Sequence, residues 1–437
     1  MNTVPKPDRF RSRVISFFPF QKYGLLSAAA VFAFLVLCPA GPARGQDNTS
    51  DPRDLKIREL EKTVGALAER VDAMDKSKAS YGGSWVDRFT LGGYGEMHAN
   101  FAEGNAPDQF DIHRLVAYVG YEFNDWIKFH SETEIEHAFV SSENDGELSF
   151  EQAYLDFLLS DRVNVRFGRI LTPIGIINKK HEPPTFYGVE RPSFDRVIIP
   201  TTWPSDGLGF FGALGPSLKY EAYVVGGLDG SKFDDLDGIR EGRLQERPSL
   251  HEPAVTGRLD FYPFALRPAG YGQSLRLGAS AYYGGVDNGN KGKNPGIEGD
   301  LRIFSGDFEY TISKFDLRGV VAHERIHGAR EIGNGTASEI FGWYLEGAYH
   351  FWPDAWKRGK LAKSDAVAFA RYEDFDTQFK TPPGVPKNPA GDREEWTLGV
   401  SFYLTPAMVA KADVQIRDDG TGKDLPNLVN FGVGWQF

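Results

Sequence analysis

One cysteine, Cys38, stands in 437 residues, so a disulfide framework and a cysteine-based metal set are both excluded. Methionine is almost as scarce, at four residues. Long hydrophobic runs are missing too. Only Leu25 to Leu37 comes near one, and its length of about 13 residues falls short of the 18 or more that a membrane-crossing helix needs. The mean hydropathy of -0.37 likewise excludes a bundle of membrane helices. Positive charge is in deficit, with 49 Lys and Arg against 60 Asp and Glu and a formal net charge of -11, a poor balance for binding nucleic acid. What the chain does have is glycine, 49 residues, and aromatics, 14%, a composition suited to many strands and turns. The length allows two or three ordinary domains or one very large β structure, and composition favours the latter.

The N-terminus carries a basic region (Lys6, Arg9, Arg11, Arg13, Lys22), then the apolar Leu25 to Leu37, then the small-residue stretch Pro39 to Gly45. That order is a secretory signal. Cleavage near Gly45 would remove Cys38, leaving a mature chain without cysteine and a formal charge of about -16, since six basic residues and Asp8 depart. Residues 46–84 come next, with Ile57, Leu60, Val64, Leu67, Val71 and Met74 spaced alternately three and four apart. This is a heptad seam and predicts a short periplasmic α-helical coiled coil with its linker, serving either to reinforce an oligomer or to approach the cell wall.

From Thr90 onward the period changes from seven to two. In Asp125 to Glu136, Ile127, Phe129 and Ile135 share one face while Lys128, His130, Glu132, Glu134 and Glu136 share the other. About sixteen such segments recur, from Leu91–Phe101 to Asn427–Phe437, and at roughly 10 to 13 residues they are long enough to cross a bilayer at a tilt. Brief separators (Asn124-Asp125, Ser160-Asp161, Thr405-Pro406) alternate with long ones (Asp229 to Glu252, Asp287 to Asp300, Thr377 to Arg393), as turns and loops do on the two sides of an outer membrane. The predicted fold class is all-β: a 16-stranded antiparallel transmembrane barrel over residues 85–437, enclosing an aqueous channel rather than a packed core. The last segment ends Asn430, Gly432, Trp435, Phe437, a closing strand that resembles the signal read by the barrel-assembly machinery.

Three stretches, Phe110-Asp111-Ile112-His113-Arg114-Leu115, Phe167 to Gly175 (FGRILTPIG) and Ala370-Arg371-Tyr372-Glu373, resemble the phosphate-selective porin family of porin O/P-like outer-membrane porins. The resemblance, over Thr90 to Phe437, implies a trimer whose long third loop, Ile176 to Asp206, folds inward and narrows the lumen. Phosphate-selective members use Lys and Arg there. Here Lys179, Lys180, Arg191 and Arg196 are matched by Glu182, Glu190, Asp195 and Asp206, so phosphate selectivity is not carried over. A mixed-charge eyelet with a transverse field and an anion site both remain open. Candidate lumen charges are Arg114, Lys128, Glu132, Glu134, Glu136, Arg166, Glu346 and Arg371.

One string invites a different reading. His323-Glu324-Arg325-Ile326-His327 has the form of a zinc-protease helix. On a strand, however, residues four apart lie about 13 Å from each other, too far to share a metal at roughly 2 Å. The alternation of Phe315, Leu317, Gly319 and Val321 with Asp316, Arg318, Val320 and Ala322 favours the strand. The expected function is an outer-membrane porin, a water-filled channel for passive diffusion of small hydrophilic solutes or ions, anions such as phosphate among them. No catalytic residue, cofactor or metal is expected, and the partners are a homotrimer, outer-membrane lipid and the assembly machinery. A non-conducting structural or adhesive barrel and a secreted zinc metallopeptidase are the alternatives.

Overall fold

The computed structural model describes residues 85–437 apart from 105–106, 138–139, 142–143, 244–251, 269–271, 287–298 and 424. Its main element is one closed sheet. The strands are β1 Phe89–Ala102, β2 Gln109–Glu122, β3 Ile127–Glu136, β4 Leu148–Phe157, β5 Asn164–Leu171, β6 Pro204–Ala213, β7 Leu218–Gly226 and β8 Pro253–Phe261. They continue as β9 Gln273–Gly285, β10 Asp300–Ile312, β11 Phe315–His327, β12 Glu339–His350, β13 Asp365–Lys380, β14 Asp392–Thr405, β15 Met408–Asp419 and β16 Leu428–Gln436. Each runs antiparallel to its neighbours, and β16 closes on β1 with Tyr94 opposite Gln436 and Phe101 opposite Val429. The segments set by the two-residue period are these strands, with limits moved by a few residues.

The expected class needs one correction: the described residues form the 16-stranded barrel without a coiled-coil helix. Among the described residues no helix is long enough for a coiled coil, and none is long and apolar enough to cross a membrane. Among the described residues the longer α-helix, α1 Ser193–Val197, has five residues, and α2 Ala329–Ile332 has four. The seam from Ile57 to Met74 lies outside the described residues.

Alternation places the large apolar side chains outside. Leu91 is 74% and Phe110 76% exposed, and Phe167, Phe210, Val255, Phe304, Leu345 and Phe431 are exposed as well. A continuous apolar outer wall is what lipid requires. Ring pairs mark both rims, Phe315–Tyr349 at the short-turn end and Phe341–Phe379 at the long-loop end, where amphipathic and aromatic side chains meet the headgroups.

Two bulges break the alternation where it matters. Between β1 and β2 the register passes from Glu96 opposite Arg114 to Met97 opposite Ile112, leaving His113 extra. Between β3 and β4 it passes from Glu132 opposite Gln152 to Thr133 opposite Phe150, leaving Glu151 extra. An extra residue lets a strand aim consecutive side chains to one side. Ile112 and Leu115 face out, whereas both His113 and Arg114 line the interior.

The interior departs from the expectation of a purely aqueous bore. Apolar residues of the third and fourth long connections (Ile174, Ile176, Phe186, Phe194, Trp203, Leu228, Phe233, Ile239) pack against inward-facing Tyr223, Tyr282, Ile303, Val320, Ile340 and Phe375. Each such burial is worth about 1.5–3 kcal/mol. One side of the lumen is therefore a dry core, and the polar space lies against the ends of β1–β7, β15 and β16.

Candidate functional site: a charged vestibule floored by the third loop

The third long connection occupies residues 172–203. Its expected end at Asp206 moves back, because Arg169 and Asp206 are paired across β5 and β6 and joined by two bonds of 2.7 and 3.0 Å. Five prolines (Pro173, Pro183, Pro184, Pro192, Pro200) deny this segment strand pairing. Its alternative is to bury apolar side chains inside the barrel and offer its backbone to the wall.

That backbone is strapped down in sequence. Arg258 Nη1 donates to the Gly175 carbonyl at 3.0 Å and Arg318 Nη1 to that of Thr185 at 3.0 Å. Ser401 Oγ donates to the Tyr187 carbonyl at 2.6 Å and Lys411 Nζ to that of Gly188 at 2.7 Å. The Val189 amide donates to Asp413 at 2.6 Å, and the Ser193 and Phe194 amides donate to Glu373 at 3.3 and 2.8 Å. On the closing strand, a Cβ at Gly434 would lie 2.3 Å from Pro183 Cβ, so only glycine lets the loop cross there.

This strapping reassigns several predicted lumen charges. Arg371 is 0% exposed, sits 2.7 Å from Glu373 and 3.2 Å from Glu346, and Glu346 is also 2.6 Å from Arg318. These groups anchor the loop and do not border the open cavity. Arg166 forms a fork with Asp156 at 2.7 and 2.8 Å and covers the Tyr154 ring. Lys128 pairs with Glu122 at 2.9 Å, and Glu132 faces His130 at 3.0 Å. The loop lysines are neutralised as well, Lys179 by Glu221 and Lys180 by Glu309 at 2.8 Å. Glu309 also belongs to an ion-pair ladder with Arg258, Asp260, Arg276 and Asp307 that sequence reasoning missed. Its residues look unremarkable until neighbouring strands are in register. Glu182 is half-buried, its carbonyl accepting from Thr185 Oγ1 at 2.7 Å.

Asp195, in α1, is 0% exposed and neither carboxylate oxygen has a hydrogen-bond partner. Burial first, and then the nearby Glu373 carboxylate, push its pKa well above the ordinary 3.8. With the folded value raised, the folded state binds the extra proton and stability falls as pH rises above about 4. Asp195→Asn is therefore expected to flatten that decline and to match or exceed the parent in stability at pH 7. Urea unfolding at several pH values checks it, and an unchanged pH profile would count against the assignment.

What remains open is a vestibule of about 1210 Å³ at the long-loop end. Glu190, Arg191, Ser193, Arg196 and residues 201–203 form its floor, and the ends of β1–β7, β15 and β16 with Arg240 and Arg243 of the fourth long connection contribute its walls. Eight carboxylates line it (Glu96, Asp111, Glu134, Glu136, Glu147, Glu151, Glu190, Asp206) against seven arginines (Arg114, Arg169, Arg191, Arg196, Arg240, Arg243, Arg417). Arg114 is held by Glu96, Glu134 and Glu136 at 2.7, 3.2 and 3.3 Å. Arg196 gathers cations around it: Arg240 donates to its carbonyl at 2.7 Å, and burial followed by repulsion from Arg196 lowers the Arg240 pKa. Arg240, Arg243 and Arg417 were not foreseen, since long loops have no period to betray which residues turn inward. Of the predicted assembly residues, Asn430 is buried between Asp413 at 2.8 Å and Asn100 at 2.9 Å, while Phe437 is exposed outside. Gly432 lies on the inner face, where a Cβ would come 2.9 Å from Val189 of the loop, and Trp435 packs against Gly95.

The His323–His327 string lies within β11. His323 is bonded to Glu339 at 3.0 Å and His327 is 82% exposed, while Glu324 points inward with 0% exposure. Among the described residues neither histidine belongs to a cluster of three metal-ligand side chains, so the peptidase alternative fails on geometry.

Comparison with known proteins agrees with this architecture. The family model described as phosphate-selective porin O and P matches residues 92–419. An uncharacterized protein of Aquifex aeolicus (strain VF5) is 33% identical over 366 residues, 80% of each chain. Among solved structures, an anion-selective porin from Comamonas acidovorans gives a TM-score of 0.50 at 12% identity, covering 80% of this chain and 99% of its own. Salmonella typhi OmpF in complex with daunomycin gives 0.49 at 12% identity, with 80% and 97% covered. At 12% identity the likeness to the Comamonas porin shows the fold alone. The chain belongs to the phosphate-selective porin O and P family, and its fold is a closed 16-stranded β-barrel.

Proposed function

We propose that this barrel is a passive channel for small hydrophilic solutes, with weak ion selectivity set in the vestibule. The observation that carries this reading is the near balance of eight carboxylates and seven arginines around one polar cavity, together with the pairing of both loop lysines. Fixed charge of both signs across a narrow space orients dipolar solutes without accumulating one ion. A second reading, uptake of small anions such as phosphate, is favoured by the grouping of Arg196, Arg240 and Arg417 in that lining. Export through a leader at residues 1–45, an outer-membrane barrel over 85–437 and association into trimers complete the proposal, the last on the strength of the family resemblance.

The test is planar-bilayer recording of material recovered from outer-membrane fractions. Current should rise on insertion, close in three equal steps at high voltage, and reverse near zero in a potassium chloride gradient. Absence of any step would sink the channel reading. Block of chloride current by dilute phosphate would favour the anion reading instead.

A further inference from the structure

Three histidines from three different segments meet in the vestibule. His98 of β1 and His113 of β2 stack with ring centroids 4.4 Å apart, and His137, just past β3, lies edge-on to His113 at 5.1 Å. The β2 bulge brings His113 to this face. Glu190 of the loop floor completes a set: the ligand atoms of His98, His113 and Glu190 all fall within 4.8 Å of one another. His98 is 3% exposed, and its Nδ1 lies 2.9 Å from Glu190 Oε1.

We propose that His98, His113 and Glu190 bind one divalent transition-metal ion, linking the third loop to the β1–β2 wall. Two imidazoles and a carboxylate, with a fourth position open to the vestibule, suit zinc, nickel or copper better than magnesium or calcium. Bonds of about 2.0–2.2 Å put tetrahedral donors roughly 3.4 Å apart, so the 2.9 Å contact of His98 with Glu190 has to open slightly while wider donor pairs close. Each imidazole already has a carboxylate beside it, the usual support of a ligating histidine. Glu96 Oε2 is 3.3 Å from His98 Nε2, and Asp111 Oδ2 is 3.7 Å from His113 Nδ1 and 2.7 Å from His137 Nδ1. Metal binding would displace the 3.2 Å bond from Asn100 to Glu190.

Calorimetric titration of the full-length, detergent-folded protein with zinc chloride alone tests the site. One ion per chain is expected, and His98→Ala, His113→Ala and Glu190→Gln should each weaken binding by at least about tenfold. His327→Ala, an exposed histidine on the outer wall, should leave affinity unchanged, and heat-modifiable electrophoretic mobility confirms that each variant is folded. Absence of binding overturns the proposal. So does loss of binding in His137→Ala with Glu190→Gln unaffected, which would place the ion on Asp111, His113 and His137 instead. In bilayers, zinc on the long-loop side should reduce current in the parent but not in Glu190→Gln; only this arm depends on the channel reading.

Discussion

Arg371→Met is expected to cost about 3–5 kcal/mol of stability, as removal of one partner from a buried ion pair does, and to enlarge the conductance. Methionine fills much of the same volume but leaves Glu373 and Glu346 facing a site with no cation. Glu373 is the acceptor that holds the Ser193 and Phe194 amides, so its reorganisation reaches the loop floor directly. The two effects should appear together: a lower urea midpoint, and larger or more variable single-channel steps as the loop detaches. Arg371→Lys should recover only part of the loss, because an ammonium cannot serve Glu373, Glu346 and Thr397 at once as the guanidinium does. Parent-like conductance in the methionine variant would show that the strap does not position the loop.

Glu324→Leu should act in the opposite direction. Glu324 is 0% exposed, neither oxygen has a hydrogen-bond partner, and its neighbours across β10 and β12 are Ile303 and Ile340. A buried carboxyl without partners costs roughly 2–3 kcal/mol relative to an apolar side chain of similar shape. Leucine at that position would join the core of Ile303, Ala322, Ile326 and Ile340, and the unfolding midpoint should rise by a corresponding amount. Destabilisation instead would mean that a water or an ion holds the carboxyl inside the barrel.

The same residue shows where reading the sequence succeeds and where it stops. A string of His-Glu-x-x-His carries no metal chemistry once its backbone is extended; the alternation favoured the strand, and the place of the string in β11 settles it. Alternation also located the strands, because lipid outside and polar groups inside impose a period of two on every segment. It could not find His113 as an interior residue, since a bulge adds one position and inverts the phase, nor could it tell Arg371 from Arg114. Both face inward, yet one is sealed beneath the loop and the other borders open space.

Sequence alone determined the transmembrane barrel, its strands and the division into short turns and long loops, for these follow from local periodicity repeated along the chain. Tertiary structure alone decided that much of the lumen is packed apolar core, that the loop lysines are neutralised and that three histidines converge at the mouth. Those outcomes depend on which strands lie beside which and on where a proline-rich loop folds back, and contacts between separate strands and loops leave no periodic trace.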